Sequence, residues 1–411
     1  NHPDAVTTRT EHALPPASTT AATHLRHRRH RGLMRSLLLL LAWPATLAWQ
    51  AHAIPQSRRP LLPKRSPVLL RSAEELQDQP PLLPLGVLML VPVAWGTFGV
   101  AVKAIKAKVG APPPELAFSV MQYVVASSAL GLLSSVTARR LPEEASDKAS
   151  DKASDKATRA ATAAAGFELG SYLFFGALLQ LFGLGMTSAT RGAFIVQLTT
   201  IIVPLMDATV KRTPPSRLLL AACALAFGGV TAFVKSAPAG LATGSTMTGD
   251  GLIALSAVLY SRHVVRLSHH APRIPPVALG RAKELTRLGL GTAALLGGVA
   301  LVAPQRQAAV LFVRSFRSAP AEAFTALAIV TWVGLVTTAF PTWAQSFGQA
   351  SVDAGTATVI YTAQPLWAAV FGFALLGERL NGQSLAGAAA IFAAVALVAW
   401  ERVRTRSRSP S

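Results

Sequence analysis

The sequence predicts an all-α membrane protein with ten transmembrane helices arranged as two inverted five-helix repeats. Only 14% of its 411 residues are charged and 51% are hydrophobic, whereas about a quarter of the residues in a soluble domain are charged. The charges are concentrated near the two termini and in a few loops, and long apolar segments recur between them. Lipid offers no hydrogen-bond partner to the backbone, so uninterrupted apolar segments of this length favour membrane-spanning helices.

Residues 1–83 predict a targeting and disordered segment. Met34 and Arg35 precede a short apolar run that ends before Ala51-His52-Ala53, which is the order of a secretory signal peptide over 34–53. Residues 54–70 contain Arg, Lys, Ser and Pro but no acidic residue, as transit peptides do. The pair resembles the two-part presequence of secondary plastids and predicts a plastid membrane. The alternative is an ordinary signal anchor and a secretory-pathway or plasma membrane.

Ten apolar segments follow, each close to the ~20 residues that a membrane-spanning helix needs. They lie near 85–104, 115–137, 166–186, 189–210, 217–236, 250–267, 284–303, 323–345, 352–377 and 382–400. The ASDK repeat at 145–158 predicts a solvated loop or a frayed helix, and 401–411 form a basic tail. Lys and Arg are more numerous in the loops on one side, which places both mature termini in the cytosol or the stroma.

Similar motifs occur at equivalent places in residues 84–238 and 249–400, which predicts a duplication. Gly86 precedes Trp95 as Gly251 precedes Tyr260. The pattern GxxSxxxG at 185–192 recurs at 348–355, and FxxV at 227–230 recurs at 392–395. Because five helices per repeat is an odd number, the second copy must enter the membrane from the opposite side. Inverted repeats of this kind are common in transporters, with the solute site near the midplane.

The motifs resemble those of the EamA family of the drug/metabolite transporter superfamily. They include PVAWGTF at 92–98, TSATRGAFIVQLTTIIVPL at 187–205, SAVLYSRHVVRL at 256–267 and the long stretch from 357 to 398 that contains LGER. The resemblance implies ten helices in two repeats, no cofactor, and transport of small organic solutes. Lys211-Arg212 stands near where the second repeat has Glu378-Arg379, so the acidic residue has no counterpart in the first repeat.

Polar side chains inside membrane spans are costly unless they face protein or water. Neutral donors, acceptors and aromatic rings in the spans predict a central cavity for a small polar or zwitterionic solute, the alternative being hydrogen bonds that join helices. The cavity candidates are Trp95, Gln122, Tyr123, Gln180, Gln197, Thr200, Tyr260, Trp343, Gln345, Tyr361, Gln364 and Trp367. Four intramembrane prolines are hinge candidates, or else static kinks: Pro92, Pro204, Pro341 and Pro365.

The charged residues set further expectations. No buried acidic residue is evident in mid-span, because Asp207, Asp353, Glu115 and Glu168 lie near span ends, which favours facilitated exchange over proton coupling. The clearest intramembrane cations, Arg262 and Arg266, lie late in the sixth span, which argues against a phosphate site. Glu378-Arg379 is expected to be structural, and Arg191 to meet either an anionic solute or the interface.

The predicted function is therefore a carrier that moves a small polar metabolite by alternating access, with a small-molecule solute and the lipid bilayer as partners. The alternatives are a plastid-type exchanger of phosphorylated sugars or a non-transporting scaffold. No nucleophile–base pair or carboxylate pair predicts an enzyme. Neither the histidines at 24, 27 and 30 nor His269-His270 have a carboxylate or cysteine neighbour that would predict a metal site. Despite a net charge of +20, the basic runs lack the interleaved aromatics of a nucleic-acid site.

Overall fold

The computed structural model describes residues 82–110, 112–139, 148–184, 186, 192, 195–235, 247–376 and 382–406. The described residues form helices and short connections, with no strand among them. Most of the predicted targeting segment lies outside the described residues. So do Arg191, Glu378-Arg379 and most of the GxxSxxxG motif of the first repeat.

Five helices make up the first half of the chain, namely α1 Leu82–Lys108, α2 Glu115–Arg139, α3 Lys148–Leu184, α4 Thr199–Lys211 and α5 Arg217–Lys235. The second half contains α6 Met247–His270, α7 Pro276–Leu301, α8 Ala303–Ser318, α9 Pro320–Trp332, α10 Phe340–Gly348, α11 Ala354–Tyr361, α12 Gln364–Leu376 and α13 Gly382–Arg406. A π-helical segment, π1 Val333–Ala339, joins α9 to α10.

Five helices of the described chain are long and apolar enough to cross a membrane. They are 82–102 of α1, 115–137 of α2, 156–184 of α3, 320–348 through π1, and 354–375 of α11 and α12. A sixth span is formed if α7 and α8, which meet at a bend of 106°, count as one. The apolar parts of α5 and α13 are shorter, α4 has 13 residues, and α6 contains Asp250, Arg262 and Arg266. The sequence and the structure thus agree on a helical membrane fold, and length and apolarity support five to six spans.

Two helix boundaries differ from those that the sequence predicted, and one helix was not predicted. The ASDK repeat is helical from Lys148 onward and forms the first turns of α3. Helix α7 begins at Pro276 rather than near 284, so Glu284 and Arg287 lie inside the helix and not at its start. Helix α8 was not predicted, because its arginines interrupt the apolar run.

The helices pack closely where small residues face one another. A Cβ on Gly166 of α3 would lie 2.8 Å from the carbonyl carbon of Ala282, and one on Gly170 would lie 2.7 Å from the carbonyl oxygen of Lys283. Helices in membranes associate largely through such close backbone contacts. The two glycines therefore allow α3 to lie directly against α7.

Candidate solute site

Three of the predicted cavity residues come together around the middle of α6. The Tyr260 hydroxyl donates to Gln180 Oε1 over 2.8 Å, which joins α6 to α3. Tyr123 of α2 is also buried and lies near Tyr260. The face of its ring receives the guanidinium of Arg287 of α7, at 4.2 Å from the ring centroid. Four helices thus contribute polar or aromatic side chains to one place.

A second group lies where α1, α10 and α11 meet. The rings of Trp95 and Tyr361 pack edge to face with their centroids 5.5 Å apart. The Tyr361 hydroxyl lies 3.4 Å from Gln349 Oε1 and also interacts with the side chain of Gln345. Trp343 packs against the same apolar core as Trp95. Gln349, which the sequence analysis did not select, links this group to α6 through the Val264 carbonyl and Ser268.

The other candidates lie apart from these two groups. Gln122 is buried on α2, where its backbone carbonyl faces Gly334 of π1. Trp367 packs against Gly96 of α1 and beside Phe371. Thr200 is fully buried, and its hydroxyl has no hydrogen-bond partner in the described part of the chain. Gln197 precedes α4 and Gln364 begins α12, both half-buried.

The four intramembrane prolines differ in their local structure. Pro92 and Pro204 lie inside continuous helices, α1 and α4. Pro341 is the second residue of α10, which directly follows π1. Pro365 is the second residue of α12, after a two-residue turn that ends α11 at Tyr361. Since π-bulges and breaks leave backbone groups outside the regular ladder, Pro341 and Pro365 are the stronger hinge candidates.

The sequence analysis missed a buried charge cluster on α7, in which Lys283, Glu284 and Arg287 occupy adjacent turns. Lys283 and Glu284 are 0% exposed. Arg287 donates to both oxygens of Glu284, over 2.9 and 3.2 Å. Arg287 lies close to the middle of α7. We call these three residues the α7 charge cluster.

Helix α10 holds the cluster in place. The Thr342 hydroxyl donates to Glu284 Oε1 over 2.7 Å. The Lys283 ammonium donates to Ser346 Oγ over 3.0 Å and to the Thr342 carbonyl over 3.3 Å. The prediction that no acidic residue is buried within a span is therefore wrong. Because of the polar residues beside Glu284, the sequence predicted that this span begins at the glutamate itself.

Arg262 and Arg266, predicted to be the clearest intramembrane cations, belong to a different group of residues, in the C-terminal part of α6. Arg266 donates to both oxygens of Glu168 of α3, over 2.5 and 2.9 Å. Arg262 donates to the Tyr172 hydroxyl over 2.9 Å. His270 Nε2 lies 3.0 Å from Glu168 Oε2. These five residues are called the α3–α6 network below, and their side chains remain partly exposed.

His269 and His270 lie in the last turn of α6 and not in a loop. His270 has a carboxylate neighbour in Glu168, contrary to the sequence-based expectation. Arg273 lies 2.8 Å from a ring nitrogen of His269, and burial together with this arginine lowers the pKa of His269 to about 4. His269 is therefore neutral at neutral pH. Within the described residues, no group of three His, Cys, Asp or Glu side chains is placed to hold a metal ion.

Comparison with known proteins agrees with this fold. Residues 284–400 match the EamA-like transporter family. No curated protein matches the chain. A protein of known crystal structure superimposes with a TM-score of 0.57 at 15% sequence identity, over 78% of this chain and 98% of that chain. At this identity the structural likeness concerns the fold alone.

Membrane-length helices define this protein as a multi-pass helical membrane protein. Within it, residues 284–400 are similar to the EamA-like transporter family. The resemblance that the motifs indicated is thereby confirmed for this part of the chain, which includes most of α7 and the helices from α8 to α13.

Proposed function

We propose that this protein is a transmembrane carrier that moves a small polar organic metabolite by alternating access, through a central site between two inverted repeats at 84–238 and 249–400. The transporter domain of the second half supports the function. The proposal is supported mainly by the contacts between helices. When each helix is exchanged with its counterpart in the other half, as an inverted repeat requires, pairs of helices in contact correspond to pairs of helices in contact.

In this proposal the ten spans are α1 to α7, then α9–π1–α10, α11–α12 and α13. A two-fold exchange pairs α1 with α6, α2 with α7, α3 with α9–π1–α10, α4 with α11–α12, and α5 with α13. Contacts of α1 with α10 then correspond to those of α6 with α3, and contacts of α2 with π1 to those of α7 with α3. The contacts of α2 with α7, α4 with α11 and α5 with α13 map onto themselves. All of these contacts are present.

The directions of the helices also fit ten alternating crossings. Gln180 meets Tyr260 while Glu168 meets Arg266, so α3 runs antiparallel to α6. Leu130 lies near Gly280 while Leu116 lies near Gly298, so α2 runs antiparallel to α7. Helices that cross the membrane an odd number of steps apart must be antiparallel, as both pairs are.

Reconstituted protein should exchange radiolabelled small metabolites across liposome membranes. Alternating access adds a sharper requirement, because holding α3 to α6 at one end should stop exchange. Cys223 is the single cysteine of the chain, so a Cys223→Ser background permits Glu168→Cys with Arg266→Cys and a short bismaleimide. Cross-linking should abolish exchange, and each single-cysteine variant treated in the same way should remain active.

No exchange across a broad metabolite panel would indicate the alternative, a scaffold on the same fold. A second candidate is a plastid-type exchanger of phosphorylated sugars, because the buried Lys283 and the partly exposed Arg287 are both cations, although Glu284 offsets one of them. Including sugar phosphates in the panel separates the two kinds of carrier. Uptake that saturates with phosphate esters and not with other metabolites would establish this candidate.

The membrane in which the carrier acts follows from the predicted presequence at 34–70. We propose a plastid membrane, with a secretory-pathway or plasma membrane as the alternative. A fluorescent protein fused behind residues 34–83 should enter plastids of a cell with secondary plastids. Removal of 54–70 should divert it to the secretory pathway, and unchanged targeting would contradict the two-part presequence.

A further inference from the structure

The α7 charge cluster contains more positive than negative charge. In their ordinary charged forms, Lys283 and Arg287 supply two cations and Glu284 supplies one anion. Within the part of the chain that the structure describes, Arg287 pairs with Glu284 alone, and Lys283 has no carboxylate within salt-bridge distance. A buried charge without a counter-charge is costly, since the interior screens it poorly. With all three groups charged, the protein therefore leaves one positive charge of the cluster without a counter-charge.

Hydrogen-bond donors at the cluster also remain unused. The Lys283 ammonium has three N–H groups, and its acceptors among the described residues are Ser346 Oγ and the Thr342 carbonyl. Arg287 Nε and His263 Nε2 are buried and have no partner among the described residues. His263 is 2% exposed on α6 and interacts electrostatically with both cations. Buried donors are normally paired, so this combination indicates a binding site.

We infer that the α7 charge cluster binds an organic monoanion, whose carboxylate takes the unused donors of Lys283 and Arg287 and, in the tautomer that carries the proton on Nε2, that of His263. The inference rests on the proposed carrier function and names its substrate class. A single negative charge neutralises the cluster, whereas a phosphate monoester with two charges leaves a buried net negative charge. A neutral amide leaves the excess cation unpaired. The position of the cluster near the middle of α7, beside Tyr123 and Tyr260, places this anion close to the predicted cavity residues.

The first test compares ligands that differ only in charge. The purified full chain is heated in detergent with a panel of small hydroxy- and keto-monocarboxylates, their primary amides, phosphate monoesters and amino acids. A ligand that binds only the folded protein raises its melting temperature. Monocarboxylates should stabilise the protein at concentrations at least about tenfold lower than their amides do, because a charge-assisted hydrogen bond is lost with the charge. Equal stabilisation by acids and amides would overturn the inference.

The second test is Lys283→Met, which keeps the length of the side chain and leaves Glu284 and Arg287 as a neutral pair. For a ligand-binding lysine, the solute-free variant should melt at the same or a higher temperature, because the uncompensated buried charge is gone. Its affinity for the carboxylate should fall at least about tenfold. If Lys283 serves only to hold α7 to α10, the melting temperature falls and binding by the folded protein is unchanged, which overturns the inference.

Arg314→Gln on α8 is the matched control, because this arginine is exposed and remote in sequence from the cluster. Its carboxylate affinity should equal that of the unmodified protein, and an equal loss in both variants would assign the effect to general surface charge. Exchange assays separate the two proposals. Uptake of neutral solutes without uptake of carboxylates would support the carrier function and contradict the anion site. Carboxylate binding that depends on Lys283, without exchange of any solute, would support the anion site and contradict the carrier function.

Discussion

The α3–α6 network and the α7 charge cluster both contact helices from the two halves of the chain. They differ in how far their charged groups are exposed and paired. In the network, the carboxylate of Glu168 accepts from both Arg266 and His270, and these side chains remain 17–24% exposed. In the cluster, Lys283 and Glu284 are 0% exposed and Arg287 is 15% exposed, and the buried Arg287 Nε has no hydrogen-bond partner among the described residues. Water can form hydrogen bonds with polar groups that the protein leaves unpaired in a partly exposed site, but not in a fully buried one.

The difference suggests different purposes for similar residue types. A partly exposed ion pair contributes little to stability, but its geometry can fix the end of one helix against another. A fully buried and unbalanced group of charges lowers stability and persists where it serves a function. We therefore expect variants of the cluster to alter stability and solute binding strongly, and variants of the network to alter them weakly.

Glu284→Gln should have the largest effect. Among the described residues it removes the only carboxylate that pairs with Arg287 and lies beside the buried Lys283, and breaking a buried ion pair costs about 3–5 kcal/mol. Unfolding titrations in mixed micelles measure the loss, with Glu322→Gln on α9 as the control. Glu322 is partly exposed, and its carboxylate accepts the Gly110 N–H over 2.7 Å. A loss no greater than that of the control would show that the cluster is not an isolated buried charge group.

Gly170→Ala comes next and acts on both groups, since α3 carries Glu168 two residues away and touches α7 beside Lys283. Its Cβ would lie 2.7 Å from the Lys283 carbonyl oxygen and from Thr286 Cβ. Overpacking of this kind costs about 1–3 kcal/mol, and α3 must move away from α7.

Gly289→Ala is the control for this substitution, because nothing lies within 4 Å of the position of its Cβ. Alanine should leave stability unchanged or raise it by up to about 1 kcal/mol through helix propensity. The same unfolding titration compares the two variants. Equal stability of both would mean that the close approach of α3 and α7 is not required.

The apolar helices could be predicted from the sequence, whereas the cluster could not. Uniformly apolar segments such as those of α1, α2 and 320–348 can be predicted from their apolarity alone. Helix α7 contains Lys283, Glu284 and Arg287, which lower its apparent apolarity and moved its predicted start to residue 284. Only the packing of α10 and α2 around these residues shows that they are buried.

A signal for the cluster was nevertheless present. Lys283 and Arg287 are four residues apart, and Glu284 lies three residues before Arg287, so helical geometry places the charges in adjacent turns. For the cavity candidates, periodicity does not tell which face of a span meets which helix. It therefore did not distinguish Tyr123 and Tyr260, which meet near the cluster, from Gln122 and Trp367, which do not.

Glu168→Gln tests the α3–α6 network and should cost about 1 kcal/mol or less, because the pair is partly exposed. The loss should shrink further in high salt, which screens exposed charges more than buried ones. Unfolding at low and high ionic strength measures both effects. A loss as large as that of Glu284→Gln, or one that does not depend on salt, would erase the difference between the two groups.

Tyr123 offers the smallest and most specific test, because its ring lies under Arg287 and not in the network. Tyr123→Leu removes the cation–π contact and should cost about 1 kcal/mol, while Tyr123→Phe keeps the ring and should cost less. Both variants should weaken carboxylate stabilisation in the same order, since the ring orients the guanidinium that binds the anion. If leucine and phenylalanine give equal melting temperatures and equal carboxylate responses, Arg287 is held by Glu284 alone, and the aromatic residues beside α6 play no part in the anion site.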